Sequence, residues 1–400
     1  MVDSVSIHRK PRVNSARLFF EAISVAFSQS TSKQGALPLL CLIFGIAIAG
    51  CKPEYPGPKP QLDVQIRSAS LSPSGDRVAF SYEDKRSEKS LKGIALYHIN
   101  SDRVEFLKLP EYLRVGAPSF SPDGKRLSVT AFCYLTCSKS EFGYHIGLFD
   151  LETGKYTQLT ENGGSEIRLS PEFSPDGQTI YFSWAKAEWN KEGGSRPAGF
   201  FGIASVKLDD PQETILLPNT ITPSTFQLVG KMTPTANGDL IFTCKAPSRG
   251  PAQAAMEAAG KSLVYPFPCS LKPDGELDYF LPLTKLGYSQ LSASADGKKV
   301  FFTSRADSTK GQRGYVYDLY LFEGTQTSRL TTLETYTSET DASADGSIVL
   351  LRADEDRGHN WSIWLHDMET GNTREVVPLE RLLELLPQTD MPVKAKPTNS

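Results

Sequence analysis

Six cysteines, five histidines and a scatter of arginines and tryptophans carry most of the chemistry this 400-residue chain can offer. Thiolates pair as disulfides or bind soft metals, and imidazoles ligate metals or move protons. The histidines stand apart from one another. His8 lies in a basic leader, His98, His145 and His366 fall on or beside strand-like segments, and His359 sits alone in a loop. No H-x-H pair occurs, and no cluster could bring three imidazoles to one point. No G-x-S-x-G is present either, so the strained serine elbow of the α/β-hydrolases is missing. Glu166, Glu339 and Asp341 lie near strand ends, where carboxylates could hold Ca²⁺ but are usually solvated. These residues define no catalytic set, and no cofactor is expected beyond Ca²⁺ at those acids.

The cysteines divide by position. Residues 36–49, ALPLLCLIFGIAIA, are fourteen residues without a charge, which suits a signal-peptide core better than a bilayer span. Before them His8, Arg9, Lys10, Arg12, Arg17 and Lys33 face only Asp3 and Glu21. Ile48-Ala49-Gly50-Cys51 follows and resembles the bacterial lipobox. That resemblance implies cleavage before Cys51 and acylation of its thiol and of the new N-terminus. Several acyl chains hold a membrane stably where one does not. By resemblance to enterobacterial sorting, Lys52 implies the outer membrane, with the protein facing the periplasm. Residues 52–61, KPEYPGPKPQ, read as a Pro-rich tether. Beyond Cys51, Cys133, Cys137, Cys244 and Cys269 remain, and an even number outside the cytosol suggests two disulfides. Proximity favours Cys133–Cys137 and Cys244–Cys269. Four cysteines allow three pairings, and C-x3-C with two distant cysteines is also a loose zinc pattern.

The elements that must position these residues form a repeat. Segments 70–82, 119–131, 172–184, 232–244, 292–304 and 341–353 share one pattern, typified by EFSPDGQTIYFSW, and their glycines at 75, 124, 177, 238, 297 and 346 are 49 to 61 residues apart. Each unit reads as a strand, a Ser-Pro-Asp-Gly-type turn, an alternating strand, a loop, a third strand such as IGLFDL, a short turn and a fourth strand. Four antiparallel strands repeating every ~50 residues predict a propeller blade. The expected fold is therefore all-β, a six-bladed β-propeller of four-stranded antiparallel blades over 67–379. PLERLLELLPQ (378–388) has helical periodicity and predicts a short C-terminal helix packed on the propeller's underside, followed by a disordered tail.

The run S-F-S-P-D-G-x-x-[IL]-x-[FV], followed by L-[FY]-D-L-x-T-G-x-x-x-x-L-T, resembles the Pro-Asp-Gly repeat of TolB-type six-bladed propellers. Blades two and three match well, while blade four has Pro-Thr-Ala-Asn-Gly in place of Ser-Pro-Asp-Gly. The α/β domain that precedes the propeller in that family is not expected in the short stretch between Cys51 and the first blade. The resemblance implies a protein-binding scaffold of the cell envelope.

Composition narrows the function classes. Apolar residues are 39%, aromatics 10% and charged residues 22%, which excludes a disordered, collagenous or multi-span membrane chain. Formal charge is −3, and −6 once residues 1–50 are removed, so no nucleic-acid surface is expected. Length variation falls on the loops between second and third strands: 83–92, 133–144, 185–199, 245–261, 305–314 and 354–360. Function tends to sit on such scaffolded loops. They carry Trp189, Arg196, Arg249, Arg305, Arg313, Arg357, His359 and Trp361, of the residue types that anchor protein contacts. A small helix is expected within 251–261. The expected function is a lipid-anchored, monomeric interaction module that binds an envelope protein. The alternatives are a channel enzyme acting on carbohydrate, as a lyase or hydrolase, and a periplasmic small-ligand sensor.

Overall fold

The computed structural model describes residues 61–86, 91–110, 113–133, 143–161, 165–189, 195–198, 201–218, 227–245, 267–279, 290–311, 314–333, 335–354 and 360–386. Cys51 with its leader and tether, Cys137, Arg249, Arg313, Arg357, His359, the 251–261 segment and the C-terminal tail lie outside them.

Six antiparallel sheets follow one another along the chain. Blade 1 comprises β1 (Val64–Leu71), β2 (Arg77–Asp84), β3 (Leu91–His98) and β4 (Arg103–Phe106), and blade 2 comprises β5 (Leu113–Phe120), β6 (Arg126–Cys133), β7 (Gly143–Asp150) and β8 (Tyr156–Gln158). Blade 3 has β9 (Glu166–Phe173), β10 (Thr179–Trp189), β12 (Gly202–Lys207) and β13 (Glu213–Leu217), with β11 (Ser195–Pro197) folded back on the far end of β10. Blade 4 has β14 (Gln227–Pro234), β15 (Leu240–Lys245), β16 (Phe267–Leu271) and β17 (Leu277–Tyr279), and blade 5 has β18 (Leu291–Ala293), β19 (Lys299–Gly311), β20 (Gly314–Glu323) and β21 (Gln326–Arg329). Blade 6 has β22 (Tyr336–Ala342), β23 (Ile348–Asp354), β24 (Ser362–Asp367) and β25 (Thr373–Val377), and helix α1 (Leu379–Leu385) follows it. Each sheet is built from consecutive strands, so the fold is the expected six-bladed propeller. No helix among the described residues is long and apolar enough to cross a membrane.

The core lies between blades, which explains the nearly continuous apolar runs of the second strands. Successive side chains on a strand point to opposite faces. On β2, Val78, Phe80 and Tyr82 enter the wedge shared with blade 6, while Ala79 enters the wedge shared with blade 2. Both faces are dry, so alternation of apolar with polar residues is weak there.

The first turn of each blade is set by its repeat sequence. In blade 2 the Ser121 hydroxyl donates to the Asp123 carboxylate at 2.5 Å and accepts the Arg126 N–H at 2.9 Å, while Gly124 takes φ 67°. These turns also join neighbouring blades. Ala236 N–H donates to Ala295 O at 2.8 Å, Ala295 N–H to Ala344 O at 2.8 Å, and Ala344 N–H to Pro73 O at 3.0 Å. Pro73 and Pro122 have no N–H to give. At their seams an arginine five residues after the turn serine acts instead: Arg77 donates to Gly124 O at 2.8 Å and Arg126 to Gly177 O at 3.5 Å. The change from Ser-Pro-Asp-Gly to Ser-Ala-Asp-Gly along the chain is thus a change in how the blades are tied.

Helix α1 packs into the wedge between blades 6 and 1. Leu379, Leu382 and Leu386 complete the wedge between blades 6 and 1, and Arg381 donates to the Asp102 carbonyl at 2.6 Å. Arg86 donates to Leu383 O at 3.2 Å from the other end of blade 1. The 3.6-residue periodicity gave the helix its buried stripe, but that stripe fits the seam where the ring closes.

Candidate functional site

Two sets of residues surround the propeller axis and its loop rim. The axial set is built by bulges. In the innermost strands the register slips between Ile66 and Ser68, Gly116 and Ser119, Val229 and Met232, and Thr337 and Glu339. A bulge re-aims side chains and sharpens local twist. Counting back from the turn serine or threonine, the repeat sets Lys231 and Glu339 at one level of the inner strands and Glu172 and Asp341 at another.

Lys231 on β14 reaches Asp341 on β22 at 2.9 Å and Glu172 on β9 at 3.7 Å. Asp341 also accepts the Leu71 N–H at 2.8 Å, and Glu172 accepts the Ser119 hydroxyl at 2.7 Å. Arg352 lies 3.3 Å from Glu339 and donates to Ile66 O at 3.3 Å and to Arg67 O. The network draws in blades 1, 2, 3, 4 and 6. Burial pushes the Glu172 carboxyl up to about 7 despite the Lys231 charge. Burial also raises Glu339, against the pull of Arg352 and Lys231. Burial works to strip Lys231 of its proton, but the charges of Asp341 and Glu172 outweigh it and hold the ammonium more firmly than usual.

This arrangement corrects the sequence reading of the acids. Glu339 and Asp341 do reach the axis, but their carboxylates are taken by Arg352 and Lys231. Glu166 is not with them: it pairs with Arg168, which also binds Glu213 at 2.7 Å. Cations of the chain already fill the acids, so the donor set does not suit Ca²⁺. Among the described residues no group of three or more His, Cys, Asp or Glu is placed to hold a metal. Lys231, Glu172 and Arg352 went unread because the participants lie far apart in sequence.

The described histidines, His98, His145 and His366, lie on the third strands of blades 1, 2 and 6. His145 Nε2 meets the Tyr156 hydroxyl at 2.8 Å, His366 Nδ1 meets Thr373 Oγ1 at 2.8 Å, and His98 lies 3.3 Å from Glu105. Burial lowers the His366 pKa. Cys244 and Cys269 are bonded across β15 and β16, with Cα atoms 6.0 Å apart, and both are fully buried. Cys133 ends β6, where only the backbone is described.

On the loop rim, sequence segments read as loops continue as strands. Beyond the paired part of blade 3, β10 runs on to Trp189, which pairs with Ser195, and Arg196 lies opposite Glu188. Blade 5 does likewise, with β19 and β20 paired out to Gly311 and Gly314. Arg305 sits on β19 opposite Tyr317 and is half-buried. Trp361 lies 5.4 Å from Tyr336, ring to ring, and the Arg352 guanidinium lies 4.7 Å from its ring centre. That contact links the loop rim to the axial network.

No protein-family model and no curated protein sequence matches the chain. Among solved structures it is similar to the β-propeller domain of the Trilobed protease from Pyrococcus furiosus, at 14% identity and a TM-score of 0.51 over 80% of this chain and 97% of that one. It is similar to an acylaminoacyl peptidase at 14% identity and a TM-score of 0.50, covering 80% of this chain but only 53% of the peptidase. TolB from Acinetobacter baumannii is 17% identical, with a TM-score of 0.49 over 84% of this chain and 67% of TolB. Likeness to the first two of these, at such identities, bears on the propeller fold and nothing finer.

Proposed function

We propose that the chain is a lipid-anchored β-propeller of the bacterial cell envelope that binds another envelope protein through its loop rim. The observation that supports this is the difference between the two rims. One is tied turn to turn at five of its six seams, while the other, among the described residues, raises hairpins on blades 3 and 5. A scaffold with one tied rim and one elaborated rim presents a single face to a partner. Trp189, Arg196, Arg305 and Trp361 are the described members of that face, and Arg249, Arg313, Arg357 and His359 belong to its sequence set.

Crosslinking in native cells, followed by recovery of the chain, tests this reading. An envelope protein is expected with the unaltered chain and not with Trp189→Ala combined with Arg196→Glu. If the unaltered chain captures no envelope protein, the scaffold reading fails. The anchor is tested separately with Cys51→Ala, which should leave the membrane pellet at an unchanged melting temperature. Retention of that variant in the pellet after a salt wash overturns the lipid anchor.

A further inference from the structure

A cavity of about 290 Å³ opens in the channel wall where the inner strands of blades 1, 2 and 3 meet. Its backbone is strained at two places: Ala117 has φ 46° and Ser170 has φ 52°, both in the left-handed region. Side chains there cost energy, and such positions persist where the surroundings over-determine them. Here the surroundings are hydroxyls. Ala117 N–H donates to Ser68 Oγ at 2.9 Å, and Ser170 N–H donates to Thr130 Oγ1 at 3.0 Å. Ser68 and Ser81 hydroxyls touch at 2.6 Å.

Thr130 accepts a backbone N–H and keeps its own proton to donate, while Ser68 and Ser81 spend one of their two protons on each other and keep one between them. Ser68, Ser81 and Thr130 all line the cavity, and Ser81 and Thr130 are buried. Cationic charge is in excess. Arg67 and Lys92 line the cavity, and with Lys85 they share one carboxylate: Glu83 accepts from Arg67 Nε at 3.0 Å and lies 3.4 Å from Lys92 Nζ and 3.8 Å from Lys85 Nζ. The floor is left open by Gly116, where an added Cβ would meet nothing within 4 Å. Hydroxyl donors, an excess of cations and an open floor are the chemistry of an oxyanion site.

We propose that this cavity binds a small solute through a carboxylate or phosphate group, held by Arg67 and Lys92 and by the hydroxyls of Ser68, Ser81 and Thr130. The site lies in the ring itself and needs no partner protein. Binding is read on the purified chain, so its failure leaves the scaffold reading standing, and a failed partner capture leaves this site untouched.

Isothermal titration of the full chain in detergent with inorganic phosphate and with succinate tests the proposal. Saturable single-site heat with either probe is expected, and the probe that binds distinguishes a phosphate from a carboxylate ligand. Binding should weaken about tenfold or more in Arg67→Gln and Lys92→Gln, and vanish in Gly116→Val, whose side chain fills the floor. Arg103→Gln, on the outer strand of blade 1, should bind as the unaltered chain does. Lys92 is at the rim, so its variant serves if Arg67→Gln fails to fold. No saturable heat with either probe, or equal binding in folded Lys92→Gln and Gly116→Val, overturns the proposal.

Discussion

Lys231 is the residue on which the axial network depends. It is buried, and Asp341, Glu172 and Glu339 crowd around it. Removing one partner of a buried ion cluster leaves uncompensated charge and costs about 3–5 kcal/mol. Lys231→Met is therefore expected to lower the denaturation midpoint strongly at neutral pH, and urea titrations at two pH values check it. The loss should shrink at pH about 5, where the stranded carboxyls can be protonated. The unaltered chain has a milder trend of the same sign. Glu172 titrates near 4.5 when unfolded and about 7 when folded. Between those values the folded chain binds the extra proton, so stability falls as pH rises through that window. Turn aspartates work the other way. Hydrogen bonds from Ser121 and from the serine or backbone groups of the other turns hold Asp123, Asp176 and Asp345 below the ordinary range, and Asp296 is lowered to about 2. Their contribution is present above an unfolded value near 3.8 and is lost as pH falls through the folded values. Melting temperature against pH should therefore peak on the mildly acidic side of neutrality, and a curve rising steadily to pH 8 would contradict the network.

At the scale of the element, the turn between the first two strands is what the sequence specifies most firmly. Gly346 shows why. It takes φ +65°, and an added Cβ would lie 3.1 Å from Lys299 Cδ and 3.3 Å from Phe301 in blade 5. Gly346→Ala should cost about 1–2 kcal/mol for the left-handed backbone alone, with the inter-blade contact adding to it. Thermal unfolding of that variant beside an alanine at Gly371, which has φ +70° but open space, separates the two causes. Such turns were legible because their residue types and order carry the conformation. Strand limits on the loop rim were less so. Residues 185–189 and 305–311 look like loop, yet lie on hairpin arms, with Arg305, Lys310 and Gly311 paired in blade 5, because pairing there depends on partners across the turn rather than on alternation. The axial cluster was half-legible. Glu339 and Asp341 could be placed near the channel from their blade positions. Lys231 holds the same blade position as Glu339, but its role follows from acids in blades 3 and 6, which leave no local signal.

For the whole molecule, the decisive joint is where blade 6 meets blade 1. Consecutive strands make up both sheets, so among the described residues no exchanged strand locks the ring. Closure rests instead on Ala344 N–H to Pro73 O, on Leu71 N–H to Asp341, and on α1. Leu379, Leu382 and Leu386 are all buried there. Full burial of each such side chain is worth about 2 kcal/mol. A chain ending at Pro378 should melt well below the full chain and bind a hydrophobic dye before it unfolds. Coincident melting of the two chains would show that the helix contributes nothing to closure.

Five of the six seams carry a bond from turn to turn, and the seam between blades 3 and 4 carries none among the described residues. Pro175 has no N–H, and Thr179 stands where Arg77 and Arg126 stand in the preceding blades. A groove of about 550 Å³ lies there instead, bordered by Thr179, Tyr181, Gly238 and Leu240. A hoop riveted at all joints but one does not flex evenly: load gathers at the unriveted joint. The ion pair that spans this joint is the longer of the two Lys231 contacts, 3.7 Å to Glu172 against 2.9 Å to Asp341. The compliance of the hoop is thereby wired to the charge at its hub. Were that joint to spread, the longer contact, Glu172 to Lys231, would part before that of Asp341.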